Sequence, residues 1–243
     1  MVWQVGNHRL SSSTKILLSW SSGKDSAWSL HVLRQRQEFE VVALMTTVNE
    51  VHQRVAMHAV RIELLEAQAE AVGLPLWKIP IPSPCSNAEY EAAMRAVLEK
   101  AKSEGIGGVA FGDLFLEDIR RYREKFLSGT EISPVFPIWS MPTKELARDM
   151  VAAGLRALLT CVDPKQLSGS FVGREFDSGF LSDLPASVDP CGERGEFHTF
   201  AYDGPMFRHA IPVRVGETVE RDGFVFADLY SDTSIKFPSG SGN

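Results

Sequence analysis

Six consecutive residues, Ser21-Ser22-Gly23-Lys24-Asp25-Ser26, have the types that a polyphosphate site requires. Three hydroxyls supply hydrogen-bond donors, Lys24 a mobile positive charge, and Gly23 a point where an oxygen can approach the backbone. Asp25 is out of place beside an anion unless a metal bridges the two, because Mg2+ on a polyphosphate takes a carboxylate directly or through its water shell. A second carboxylate of that kind, Asp113, follows Gly112. A third constellation lies far downstream, where Asp189-Pro190-Cys191-Gly192-Glu193-Arg194-Gly195-Glu196-Phe197-His198-Thr199 gathers three acids, a histidine and two glycines. Glu196 and His198 are two apart, so an extended strand turns them to one face, where they could hold an ammonium, a metal or a substrate amine. A solvated hairpin would use the same composition.

The elements around these residues decide between the readings. Lys15 to Trp20 is an apolar run of strand length, and Ala27, Leu30 and Leu33 recur at helical spacing after it, with Asp25 or Ser26 as N-cap. A buried strand that passes through a small-residue loop into a helix is an anion site, because the loop N–H groups and the helix dipole point the same way. Val41 to Val48 reads as a buried strand, and a helix with Ile62, Leu65, Ala69 and Val72 on one face stops at Gly73. Leu76 to Ile81 is a third strand, whose Pro80 suggests an edge. Ser86 and Glu89 have capping-box spacing and open a helix that ends at Gly105; Gly108 to Phe111 is a fourth strand, running into Gly112-Asp113. A charged helix from Glu117 to Leu127 precedes an irregular stretch punctuated by Pro134, Pro137 and Pro142; a helix to Ala153 and a fifth strand, Arg156 to Val162, follow.

This alternation predicts an α/β domain with a mostly parallel, Rossmann-like sheet and right-handed crossovers. Ligands of such sheets bind beyond the strand C-termini where strand order reverses, which brings Ser21 to Ser26 and Asp113 to one place. After Val162 the texture changes. Leu167 to Leu184 is rich in glycine, serine and aspartate with no convincing helix, while Phe197 to Tyr202, Ile211 to Val215 and Phe224 to Tyr230 read as strands. The expected organisation is a flexible segment 1–14, an α/β domain 15–163, a smaller β-rich domain 164–237 and a flexible tail 238–243.

Composition narrows the partners. The chain has 243 residues, 44% of them hydrophobic, and a net charge of -6. That balance gives no global attraction to nucleic acid or an anionic membrane, and the Arg120-Arg121-Tyr122-Arg123 run reads as a solvated helix face. Cys85, Cys161 and Cys191 are odd in number and lack metal-ligand spacing. With no signal peptide or membrane span, a cytoplasmic location is expected.

The Walker pattern GxxxxGKS/T is absent, and Ser21 to Ser26 instead resembles the SGGKDS loop of the PP-loop ATP pyrophosphatases, with Ser22 at the usual first glycine. The resemblance implies a HUP-type fold, of the adenine nucleotide alpha hydrolase-like kind, and cleavage of ATP between its α- and β-phosphates. The loop, Gly112-Asp113 with Glu117-Asp118 and Arg123, Pro137-Ile138-Trp139, Leu167 to Arg174 and Gly192 to Thr199 occur in the order seen in the diphthine–ammonia ligase family. That family activates the carboxylate of diphthine, a modified histidine with a fixed trimethylammonium charge, as an acyl-adenylate, and ammonia then displaces AMP. Arg194 and His198 depart from its Glu-Gly-Gly-Glu-Phe/Tyr-Glu motif and resemble a bacterial-type branch, so the acceptor, small or protein-borne, is expected to differ.

The resemblance implies ATP and Mg2+ as cofactors, with Asp25 and Asp113 toward the metal. It makes Lys24, Glu193, Glu196 and His198 catalytic, adds Gly112 and Asp113 to the nucleotide site, and lays the adenine near Met45 and Thr46. Two other readings stay open: a tRNA-modifying PP-loop enzyme, opposed by the acidic balance and missing CxxC, and an ATP-binding sensor, opposed by the clustered acids of the second domain.

Overall fold

The computed structural model describes residues 13–49, 54–55, 60–232 and 234. The ends expected to be flexible fall almost wholly outside the described residues. Five parallel strands, β1 (Thr14–Ser19), β2 (Phe39–Asn49), β4 (Leu76–Ile81), β5 (Gly108–Ala110) and β6 (Ser133–Val135), form the first sheet, with a short antiparallel β3 (Arg54–Val55) on β2. Leu44 and Met45 pair with β1 on one side and with β4 on the other. The chain therefore builds outward from β1 through β2 to β4, then crosses to β5 and β6 on the other flank of β1. Strand order reverses between β1 and β5, and both end at the same edge of the sheet.

Ile16, Leu17 and Leu18 are completely buried, as a central parallel strand covered on both faces must be. Ile16 and Leu18 join one core and Leu17 the other, following the two-residue period of the strand. Helices α1 (Lys24–Gln35), α2 (Ile62–Val72), α3 (Asn87–Ser103) and α4 (Glu117–Leu127) connect the strands. The capping box at Ser86 and Glu89 forms as its spacing predicts.

A second sheet is antiparallel, in the order β8 (Phe197–Asp203), β7 (Arg156–Val162), β10 (Phe224–Ser231), β9 (Val213–Arg221). Helices α5 (Thr143–Ala152) and α6 (Ser178–Asp183) pack near it. Its residues Leu159, Phe197 and Phe200, with Phe180 of α6 and Phe176 just before that helix, belong to the core that also holds Ile16, Leu18 and Leu30.

Three expectations need correction. Arg156 to Val162 is a strand, but of the antiparallel sheet, paired with β8 and β10; the fifth parallel strand is instead β6, inside the proline-punctuated stretch. The segment after Leu167 does contain a helix, α6, capped by Asp177, whose carboxylate accepts from the Phe180 N–H. The N-cap of α1 is Gly23, not Asp25 or Ser26.

Candidate active site

The loop after β1 is shaped by residues distant in sequence. Ser22 has φ 71, and its carbonyl accepts from Gln68 Nε2 at 2.9 Å and from the Ala201 N–H of β8 at 2.9 Å. Gln68, fully buried on α2, also donates to the Ala201 carbonyl and accepts from Trp20 Nε1 at 2.8 Å. Gly23 has no side chain to cap α1, and Thr199 of β8 does so from outside: its Oγ1 accepts from the Lys24 N–H at 3.1 Å. The Ser26 hydroxyl donates to the Gly23 carbonyl and lies 3.2 Å from Ser21 Oγ. The Ser22 hydroxyl is buried with no hydrogen-bond partner among the described residues.

The end of β5 presses against this turn. A methyl group on Gly112 would come within 3.1 Å of the Asp25 carbonyl carbon and 3.2 Å of the Ser26 nitrogen, so a larger residue would push the loop backbone away by a few tenths of an ångström. The close approach sets Asp113 beside the loop. Asp113 Oδ2 lies 3.6 Å from Arg123 Nε of α4, and both atoms are buried without hydrogen-bond partners among the described residues. Burial pushes this carboxyl upward, against the pull of Arg123.

The third wall is the segment 189–199. Asp189 Oδ1 accepts from the Cys191 N–H and Oδ2 from the Thr143 hydroxyl, at 2.9 and 2.7 Å. Glu196, buried, accepts from the Asp189 and Arg194 N–H groups, both at 2.9 Å. These two carboxylates fold the loop. Glu193 Oε1 instead reaches across to the Leu114 and Phe115 N–H groups, at 2.8 and 3.4 Å, just beyond Asp113. Burial lifts its carboxyl to about 7, opposed by those two hydrogen bonds and reinforced by Asp25. A group that titrates there suits proton transfer at neutral pH.

Lys24 is not the mobile charge that an exposed loop would carry. Its side chain is 2% exposed, with Nζ 2.8 and 3.0 Å from the Asp25 oxygens and a further hydrogen bond to the Cys191 carbonyl. The ammonium also lies 5.6 and 5.3 Å from the Phe176 and Phe197 ring centres. Burial works against its charge, but Asp25 first and then Cys191 and Glu193 outweigh that and hold Lys24 protonated. The imidazole of His198 is pushed down to about 4 by burial and by Lys24, so it is neutral at pH 7 rather than titrating near 6.5.

These walls enclose a cavity of about 350 Å³ at the point where strand order reverses. Ser21, Gly23, Lys24, Asp25 and Ser26 line one side, Gly112 and Asp113 a second, and Glu193 and His198 a third. Four expected site residues are not among the lining. Ser22 turns its hydroxyl into the interior, and Glu196 spends both oxygens on backbone N–H groups. Met45 is 3% exposed in the core on the other face of the sheet, and Thr46 donates its hydroxyl to the Trp20 carbonyl at 2.6 Å. Arg194 is likewise absent from the lining; its guanidinium sits 5.4 Å from the Phe115 ring centre.

Sequence reasoning passed over Thr199, Cys191 and Gln68. For Gln68 there was a signal, a polar side chain on the same helical face as Leu65 and Val72. Nothing local marks the other two.

Comparison with known proteins agrees with this geometry. Residues 14–128 match the diphthamide synthase N-terminal domain, and residues 142–230 match the diphthamide synthase C-terminal domain. The diphthine–ammonia ligase of Rattus norvegicus is 27% identical over 86% of each chain, and that of Mus musculus 28% over the same shares. The Danio rerio diphthine–ammonia ligase is 30% identical across 66% of this chain and 69% of its own. With both domain matches in sequence and the loop, the Asp113 turn and the 189–199 segment closing on one cavity, the chain belongs to the diphthamide synthase family of ATP-dependent, C–N bond-forming ligases.

Proposed function

We propose that this cavity activates a carboxylate with ATP, releases pyrophosphate and passes the activated acyl group to ammonia. The observation that carries the reading is the meeting of the Ser21 to Ser26 loop, Asp113 and Glu193 around one space. The N-terminus of α1 with its dipole, the Ser21 hydroxyl and the protonated Lys24, whose ammonium is paired with Asp25, set a fixed polar field on one side of the cavity. Negative charge grows on a departing pyrophosphate, and a field already in place when it grows lowers the barrier.

The donor set fits Mg2+ at one carboxylate rather than two. Asp113 Oδ2 is buried without a hydrogen bond, whereas both Asp25 oxygens are taken by Lys24. Among the described residues no group of three or more acidic, histidine or cysteine side chains forms a metal cage. Mg2+ bound to phosphates needs only one or two carboxylates and completes its shell with water. Asp113 would hold the ion, with Asp25 in its outer surroundings, and the ion would neutralise phosphate charge.

Glu193 is the group to accept a proton as the amine attacks. Its carboxylate form is available near pH 7, and its fixed hydrogen bonds to Leu114 and Phe115 aim it at the cavity. His198, neutral and on the cavity wall, stands where the family motif has a glutamate. A neutral imidazole lacks the negative charge that the motif's glutamate would offer a fixed cation, so the acceptor is less cationic than diphthine. Incubation with Mg-ATP, ammonium and candidate carboxylates, scored by AMP and pyrophosphate, tests the reaction. Pyrophosphate release that depends on acceptor and ammonia supports it; ADP as the sole nucleotide product would overturn it. Full rescue of a cell lacking its own diphthine–ammonia ligase would overturn the claim about the acceptor.

A further inference from the structure

A second concavity, of about 560 Å³, lies between α5 and the α6–Pro190 segment. One wall carries Lys144 and Arg148, a turn apart on α5; the opposite wall is mainly apolar, from Leu181, Leu184, Val188 and Pro190, with Ser178 and Ser182 among them. We propose that this groove is a second ligand site, for a molecule with a carboxylate or phosphate on an apolar body.

The two cations are placed at a cost to the helix. Like charges four residues apart repel, and a lysine in the first turn opposes the helix dipole. Neither has an ion-pair partner among the described residues, and the acid of α6, Asp183, is held by Arg174 at 2.7 Å. Glu145 and Asp149 balance the charge of α5 as a whole, but neither lines the groove, so Lys144 and Arg148 are the charged side chains on its wall. The volume is in the range of small-molecule sites, which combine an apolar lining with a few directing polar groups. An apolar body would cover the leucines and prolines while its anionic end takes the guanidinium and ammonium, the former able to grip it with two parallel hydrogen bonds.

The groove shares a wall with the nucleotide cavity. Val188 and Pro190 face the groove, Cys191 faces the cavity, and Asp189 between them binds Thr143, the neighbour of Lys144. A ligand in the groove is thus one hydrogen bond from the loop that aims Glu193.

The test uses the full chain with labelled methyl groups, titrated with benzoate, with phenyl phosphate and with neutral benzyl alcohol. Saturable shifts at Leu181, Leu184 and Val188 are expected with either anion, and should persist when ATP is present to fill the other cavity. The Lys144→Ala, Arg148→Ala double variant removes two exposed side chains and should melt as the wild type does, yet bind the tighter anion at least about tenfold more weakly. Which anion is tighter tells a carboxylate ligand from a phosphate one. Equal binding by wild type and double variant, equal binding of benzyl alcohol, no saturable shift with either anion, or shifts confined to residues such as Thr199 would each overturn the proposal.

Discussion

Replacing Ser22 by glycine should make the chain more stable. At φ 71 the residue holds a left-handed conformation, which costs a side chain with a Cβ about 1–2 kcal/mol. Its hydroxyl is fully buried and has no hydrogen-bond partner, a further loss of roughly 1–3 kcal/mol in hydration. Glycine offsets part of the gain by about 0.5–1 kcal/mol, through the freedom it adds to the unfolded chain. The remainder is a stabilisation of at least about 1 kcal/mol, or a rise in melting temperature of roughly 2–4 °C per kcal/mol for a chain of this size. Ser22→Ala separates the contributions, since it removes the hydroxyl and keeps the left-handed strain, so alanine should fall between serine and glycine. Calorimetric unfolding of the three proteins without nucleotide measures this. A glycine variant that melts at or below the wild type would show that the turn is not left-handed at this position and refute the reasoning.

Glu193→Gln should lower the ligase rate by about 10²-fold or more and remove the pH dependence of the rate near neutrality. Because burial raises this carboxyl from 4.5 to about 7, the stability it contributes is complete below pH 4.5 and lost as pH rises through 7; unfolding midpoints should show that loss in wild type and not in the glutamine variant. Asp113→Asn should weaken the Mg2+ dependence of ATP binding in a titration, and an unchanged dependence would exclude the residue from the metal. Gln68→Leu strands the Trp20 N–H without its buried acceptor and should destabilise the fold by about 1–3 kcal/mol by denaturant titration. Lys24→Met leaves the Asp25 carboxylate unpaired beneath the loop, so it should cost roughly 3–5 kcal/mol of stability as well as activity.

That last expectation marks where the sequence stopped informing. The Ser21 to Ser26 stretch displayed its strand, its turn and its helix because all three are local, and so did the capping box at Ser86 and Glu89. Lys24 has the same local surroundings, yet its burial comes from Phe176, Phe197 and the Cys191 carbonyl, some 150 residues away or more. Apolar character identified Arg156 to Val162 as a strand but could not name its partners, since pairing depends on which edge the returning chain meets. β6 was hidden for the opposite reason: three residues with a proline in the middle carry almost no pattern. Glu196 and Glu193 are indistinguishable by type and differ only in whether backbone N–H groups of their own loop or of the β5 side claim them.

The contact of Thr199 and Ala201 with the Ser21 to Ser26 loop limits how this protein can be taken apart or recombined. A chain ended after Asp163 would strip α1 of its cap, Ser22 of one of its two carbonyl partners and Lys24 of its aromatic lid, so the fragment would have the loop's sequence without its shape. It would also leave β7 with both edges bare. Segments of the second half exchanged between relatives would likewise carry part of the Ser21 to Ser26 loop geometry with them. A change in one half therefore bears on the shape of the other, and a transplanted second half should function only in a host whose first half was shaped around a threonine and a carbonyl in the same positions.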